Sequence, residues 1–578
     1  MARRLTSRLP SPQEVSGGEG SRGPSRNRPR ALLATASVAV ALAAADTYVV
    51  VLALEDMMRG VGIGVDALQK AAPIISGFLL GYVAVLPLIG RLADLVARQR
   101  ILLWCLAVFV VGSVLTAISV ELPVLVTGRV IQGIGGGGLV PATLALVADL
   151  WPRGRRGTAL GVVSAVQELG SVLGPLFAAL ILAVWDWRVI FWVNAAAGVL
   201  LAVGIRVIGG PGEIDGAPRH TGPPRWWAAP TLLASLATVV LLGLALTAPA
   251  RLTTSICWGG PFVPYAGHTD RLATPIGVWG LIALAVTVLL SARYWWPVLR
   301  RADLIGALLV AVALGSVILT FASANPEKQV VGPMGLWLLP IAAVAVVLYV
   351  WRHRAAATPL ISRGVLTGRV RPAMICSLCV GTSLVAIVVD VPLLARLTVT
   401  DSETTAALIL VRFLVAVPVG ALLGGWLLRR IGPGLVACPG LAVAALGLAL
   451  MSTWSGDALN GVLSSVELVV VGLGIGVAIA PVNDAALHDA PEADHGVAAA
   501  LVVVARMIGM VVGLALLTAI GLHRFYEHIQ SLANPTVAQV EAAGVVQVQT
   551  VFVGAAIAAA VAAAVALTLG RRPTAAAD

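Results

Sequence analysis

The chain has 578 residues, 59% of them hydrophobic and only 12% charged, with a mean hydropathy of +0.95. These values exclude an ordinary soluble domain, and apolar runs of about 20 residues read as membrane-spanning helices, because in hydrocarbon each backbone polar group must be satisfied within the chain. The net charge of +11 is divided among short loops and a tail rather than gathered in a patch, so it gives no argument for nucleic acid.

Residues 1–30 are rich in Arg, Ser, Gly and Pro and read as a disordered basic cytoplasmic tail. Six spans follow at Ala31–Leu54, Ala72–Ile89, Ile101–Val120, Leu125–Val147, Thr158–Ala183 and Val189–Val207, a first bundle over residues 31–208. Ala228–Thr247 and Thr274–Leu290 form a pair within 209–302 around the external loop Arg251–Arg271, where Trp258, Phe262 and Tyr265 suit a membrane interface. A further pair, Leu304–Ser323 and Gly335–Val350, lies within 303–371.

The last block, 372–570, holds Pro372–Leu394, Thr405–Leu428, Leu435–Thr453, Gly461–Ala486, Val497–Leu522 and Thr550–Gly570, with an external segment at 522–549 and a cytoplasmic tail at 571–578. The even count of sixteen spans puts both termini on one side. Lys and Arg concentrate on that side; opposite stand Arg59, Lys70, Arg188, Arg251, Arg271, Lys328, Arg396 and Arg524. The positive-inside rule then makes both termini cytoplasmic in a multi-pass inner-membrane protein.

The five cysteines build no disulfide framework, and the Cys376–Cys379 spacing inside an apolar span reads as small packing residues rather than a metal half-site. The cluster His488, Asp489, Glu492, Asp494 and His495 reads as an acidic loop pairing with basic loops opposite, not as a metal site. Neither H-E-x-x-H nor G-x-S-x-G occurs, so a membrane-embedded lipid enzyme is disfavoured, and no cofactor is expected.

A charge in a bilayer costs a few kcal/mol, which makes each intramembrane ionisable residue a functional candidate. Asp46 lies roughly 22 Å above the start of the first span and Arg129 under ~10 Å below the external end of the fourth, in the same half of the membrane. Glu168 and Arg506 each fall roughly 15 Å from a cytoplasmic end, near the midplane. Carboxylates so placed exchange protons as an arginine approaches or withdraws, the property a coupling switch needs. Asp390, near an external end, reads as a solvated acid; Arg412 has no evident partner, and either residue, with Gln132, is a candidate for a central cavity. Glu467 and Asp484, near opposite ends of one span, read as solvated.

Four motifs stand in order. Gly90-Arg91-Leu92-Ala93-Asp94 through Arg98 and Arg100 is a polar loop able to latch helices in one state, and resembles the G-x-L-A-D-R-x-G-R-R/K-R/K loop of the major facilitator superfamily. Arg129-Val130-Ile131-Gln132-Gly133 resembles that family's R-x-x-Q-G-x-G motif, whose arginine is implicated in proton relay. Gly170-Ser171-Val172-Leu173-Gly174-Pro175 resembles the antiporter motif of its exporters, a glycine-lined, proline-bent hinge, with Ala178 and Ala179 in place of the final glycines. Trp187-Arg188-Val189-Ile190-Phe191 to Asn194 resembles the opening of the sixth span in the fourteen-span drug:proton antiporter branch.

Closer still, Asp46-Thr47-Tyr48, Val389-Asp390-Val391, Pro418-Val419-Gly420 and Val504-Ala505-Arg506-Met507 resemble the mycobacterial triacylglyceride exporters, over both six-helix blocks. The resemblance implies an all-α polytopic major facilitator fold of two six-helix bundles with linker helices. It further implies that Asp46, Glu168 and Arg506 carry the transport cycle, that a proton gradient drives export of triacylglyceride-like lipid, with amphipathic drugs as the alternative substrate, and that a periplasmic lipoprotein is a partner. That family has two linker helices where this chain has four, so 209–302 reads as an insertion.

Overall fold

The computed structural model describes residues 28–63, 68–152, 156–214, 228–254, 259–265, 270–322, 335–400, 403–530 and 536–570. Most of the predicted basic tail, the whole C-terminal tail and Trp258 lie outside these residues; residues 28–30 already belong to the first helix.

The first bundle comprises α1 (Arg28–Gly60), α2 (Leu68–Leu95), α3 (Arg98–Ala117), α4 (Leu122–Leu150), α5 (Arg156–Leu182) and α6 (Arg188–Ile214). The middle block comprises α7 (Ala228–Thr247), the single turn α8 (Ala250–Thr253), α9 (Pro275–Leu299), α10 (Leu304–Ala322) and α11 (Gly335–Ala355). The second bundle comprises α12 (Val370–Thr398), α13 (Glu403–Leu427), α14 (Pro433–Met451), α15 (Val462–Asp489), α16 (His495–Gln530) and α17 (Val537–Ala566). Among the described residues there is no strand, and sixteen helices are long and apolar enough to cross a membrane.

Helix pairing repeats between the bundles. In the first, α1 packs on α5, α4 on both α2 and α3, and α3 on α6; in the second, α12 packs on α16, α15 on both α13 and α14, and α14 on α17. Such an internal repeat places a binding site where the halves meet. The halves meet along two seams, α2 against α16 and α5 against α13.

Packing across those seams is unequal along the bilayer normal. Toward the face that holds Arg28 and Gly570, the terminal face, the apolar core of the first bundle is continuous with Ala480, Leu487, Ala499 and Val503 of the second. Toward the opposite, distal face, the core around Val49, Met57, Trp187 and Phe191 draws on the first bundle alone. The molecule is therefore closed at the terminal face and parted toward the distal one.

In the middle block, α10 pairs with α11 and lies along α2, reaching α16, so it covers one seam. Asp303 fixes this pair: its carboxylate accepts from Arg352 Nε at 2.8 Å and from Gly306 N at 3.1 Å. By contrast, α7 and α9 pair chiefly with each other, joined by Thr238 and Thr287 hydroxyls 2.9 Å apart. They are held to the first bundle at their ends, through Arg271 N donating to Glu121 Oε1 at 2.7 Å and through Val298, Leu299 and Ala302 against its core.

One boundary differs from the sequence expectation. The polar stretch 90–100 is mostly helix, the end of α2 and the start of α3, because its side chains bond across helices instead of facing water. The segment 522–549 is helical over most of its length, as its composition leads one to expect: α16 continues to Gln530, and α17 begins at Val537 behind a capping box formed by Thr536 and Gln539. At 1.5 Å per residue α16 spans about 54 Å, well beyond a hydrocarbon core of about 30 Å.

Candidate functional site

Asp46 of α1 is fully buried and enclosed by donors from α4 and α6. Arg129 Nη1 donates to its Oδ2 at 2.5 Å, while Gln132 Nε2 and Asn194 Nδ2 donate to its Oδ1 at 2.9 and 2.5 Å. Arg129 also donates to Gln132 Oε1 at 2.6 Å, and Gln132 to Ser113 Oγ at 3.0 Å. The guanidinium carbon lies 4.5 Å from the Phe78 ring centre and 5.6 Å from that of Phe191. The depth expected for Asp46 and Arg129 thus brings them together. These hydrogen bonds tie α1, α4 and α6 together in one register, and of the Arg129 guanidinium only Nε lacks a hydrogen-bond partner among the described residues. Every member belongs to the first bundle.

The second pair does not. Arg506 of α16 donates from Nη1 to Glu168 Oε1 of α5 at 3.0 Å, joining the two bundles, with side chains 9% and 11% exposed. The pair forms the floor of a cavity of about 220 Å³ lined largely by Leu, Val, Ile and Met of α2, α12 and α16, with Ala44 and Thr47 of α1. On the terminal side of Arg506 the space falls to about 20 Å³. Beside Glu168, a crevice of about 70 Å³ runs past Pro175 between α5, α12 and α13.

Gly170 and Gly174 bring α5 onto α1: a Cβ at either would collide with the backbone carbonyl of Ala41 or Ala45. That contact holds the part of α5 that carries Glu168 directly against the helix that carries Asp46.

At the terminal face, Asp94 caps α16 across the seam, Oδ1 accepting from Gly496 N at 2.7 Å and Oδ2 from Val497 N at 3.1 Å. A carboxylate there also meets the positive end of the helix dipole. Gly90 faces Gly496 with no room for a side chain. Arg98 lies 3.7 Å from Asp94 and 3.0 Å from Asp149, and Arg100 sits half-buried in the first turn of α3. Arg91 reaches Asp494 at 3.3 Å, Asp494 also accepts from Ser362 Oγ at 2.5 Å, and Asp489 lies 3.8 Å from Arg369, so the acidic loop pairs with basic partners.

Four expectations are corrected. Arg412 is on the exposed side of α13, donating to Ser465 Oγ at 2.6 Å, and takes no part in the central cavity: the opposite face of α13 is the one packed against the bundle through Phe413. Gln132 is locked in the Asp46 cage rather than lining the cavity. Asp390 is 1% exposed rather than solvated, buried among the second bundle's own helices and absent from the cavity wall. Glu467 and Asp484 are likewise buried, the first accepting from Trp454 Nε1 at 2.5 Å and the second lying near Arg156 and Arg369. Sequence reading overlooked Asn194 as an Asp46 partner, although a polar amide inside a span was the signal, and overlooked Tyr82 in the cavity wall.

Two repeated six-helix bundles about a central cavity crossed by an ion pair define a secondary-transporter fold. The chain belongs to the Major Facilitator Superfamily, whose family model matches residues 36–331 and 271–514. It is a multi-pass membrane transporter. A triacylglyceride transporter of Mycobacteroides abscessus is 36% identical over 513 residues, 86% of this chain and 83% of that protein. A triacylglyceride transporter of Mycolicibacterium smegmatis is 37% identical over 88% of this chain and 79% of its own length, and one of Mycobacterium tuberculosis 35% identical over 87% and 85%. Among solved structures, the proton:xylose symporter XylE covers 93% of this chain and 95% of its own at a TM-score of 0.53 and 13% identity. The human organic anion transporter MFSD10 covers 92% and 99% at 0.53 and 12%. At that identity the likeness is one of fold.

Proposed function

We propose that this chain is a proton-coupled exporter of acyl-chain lipid, triacylglyceride foremost, working by alternating access in the inner membrane with its terminal face in the cytoplasm. The observation that carries the reading is the Glu168–Arg506 pair, placed between the bundles at the floor of an apolar cavity. A proton arriving from the distal side neutralises Glu168, its attraction to Arg506 falls, and the bundles lose the bond that favours this arrangement. The terminal latch at Asp94 then opens, and the cavity faces the other leaflet. Substrate leaves as protons enter.

The Asp46–Arg129 cage is the second carboxylate–arginine pair of the cycle, coupled to Glu168 through the α1–α5 contact at Gly170 and Gly174. The apolar walls favour acyl chains, the crevice between α5, α12 and α13 gives a chain room beside Glu168, and the names of the relatives agree. The projecting ends of α16 and α17 are the surface we assign to handing lipid to a periplasmic lipoprotein. Moving one charge through 100 mV is worth about 2.3 kcal/mol, enough for one or two protons to drive concentrative export.

Amphipathic drugs are the second reading, because a carboxylate beneath apolar walls also attracts a lipophilic cation. The test is the purified chain in proteoliposomes with labelled triacylglyceride and an imposed pH gradient. Gradient-dependent movement of lipid supports the first reading. Movement of a lipophilic cation with no movement of lipid replaces it with the second.

A further inference from the structure

The cavity wall holds one aromatic hydroxyl whose use is not yet assigned. Tyr82 is 5% exposed and lines the cavity together with Glu168 and Arg506. Its position is determined from two sides. On α4, Gly133 and Gly137 lie against the backbone carbonyls of Phe78 and Tyr82, and a Cβ at either would collide with them. On α2 itself, the Phe78 and Tyr82 rings pack with centres 5.9 Å apart. The glycine run of α4 thus draws α2 inward until Phe78 covers Arg129 and Tyr82, one turn on, reaches the cavity.

Three hydroxyls line this cavity, and their donors are differently engaged. Thr47 Oγ1 donates to Ala43 O at 3.1 Å and Ser171 Oγ to Gln167 O at 3.4 Å, each back onto its own helix. Among the described residues the Tyr82 hydroxyl makes no hydrogen bond, and it is not among the sealed, unsatisfied polar atoms. The other α2 residues in the wall, Ile75, Leu79 and Val83, are apolar. A phenylalanine would pack against Phe78 equally well, so packing does not account for the hydroxyl. A free donor in an apolar wall suits a ligand that offers acceptors and no donors. An acyl ester is such a ligand: its carbonyl accepts, and the rest of the molecule is hydrocarbon.

We propose that Tyr82 is the specificity-determining residue for acyl esters, its O–H donating to an ester carbonyl of the lipid in the cavity. This rests on the lipid-export reading above. The hydrogen bond orients the glycerol end of the lipid next to the Glu168–Arg506 pair and leaves the chains against the apolar walls.

The test uses the full chain in proteoliposomes with labelled triacylglyceride and, separately, its trialkyl ether counterpart, which keeps the chains and lacks the carbonyls. One neutral hydrogen bond supports an ester-over-ether preference of about five- to tenfold in the wild type. Tyr82→Phe is expected to bring that ratio to about one by slowing ester transport several-fold, with the ester-driven proton flux falling in the same proportion and ether transport falling much less. Tyr82→Gln, which restores a donor, is expected to recover part of the preference. A Tyr82→Phe protein that keeps the wild-type ratio, or that loses both lipids equally, overturns the assignment. A wild type that moves both lipids at equal rates also overturns it while leaving lipid export intact, whereas a wild type that moves neither defeats the export reading itself.

Discussion

Arg506 and Glu168 meet at 3.0 Å across the boundary between the two bundles, whereas Arg129 and Asp46, at 2.5 Å, meet inside one of them. Equivalent chemistry therefore has two different consequences. Breaking the first pair changes how the halves stand relative to one another, and breaking the second changes how well the first bundle holds together.

Glu168→Gln should shift the molecule away from the distal-open arrangement by at least tenfold in population, because the bond across the boundary loses its charge. Labelling a single cysteine placed at Val389, in the distal cavity wall, with a membrane-impermeant maleimide reads this directly. The expected outcome is slower labelling in the variant than in the otherwise identical parent.

Asp46→Ala should destabilise the protein by about 3–5 kcal/mol, since it leaves the Arg129 guanidinium buried without its counter-ion. Thermal unfolding in detergent measures the loss, and the double variant Asp46→Ala/Arg129→Met should recover much of it. Asp46→Asn keeps the shape of the cage without its charge, and is expected to abolish proton-driven lipid movement while unfolding closer to the parent than the alanine variant does.

Asp94→Ala removes the cap from α16 at the terminal face, a change worth about 0.5–2 kcal/mol. Asn483 lines the small space on the terminal side of Arg506, so Asn483→Cys is the reporter. Its labelling from the terminal side should rise several-fold in the Asp94→Ala background, with Asp94→Asn intermediate.

Gly174→Leu should cost at least about 1–3 kcal/mol and lower transport, because a side chain there drives α5 away from Ala45 and displaces Glu168. Leu173→Ala, one residue away on the exposed side of α5, should leave both nearly unchanged. Unfolding temperature and transport rate, compared for the two variants, make the check.

Hydropathy made the spans legible, since no other backbone arrangement satisfies itself in hydrocarbon, and helix rise alone put Asp46 level with Arg129. What sequence could not supply was direction around a helix. In α13 nearly every position is apolar, so nothing in the pattern says that Arg412 turns outward while Phe413 turns in. Asp390 was misjudged for a related reason: depth along α12 was readable, but the neighbouring helices that bury it were not. Tyr82 went unnoticed because an aromatic residue in a span resembles ordinary packing, and its significance lies in what its hydroxyl does not touch. The pairing of Glu168 with Arg506 joins residues 338 positions apart and depends on how two bundles dock, which no local pattern encodes.

If Glu168 exchanges a proton for its bond to Arg506, lipid and proton fluxes recorded together in proteoliposomes should be opposite and proportional with the parent chain, and gradient-driven lipid movement should be absent with Glu168→Gln. Undiminished gradient-driven export by Glu168→Gln would show that the coupling lies elsewhere.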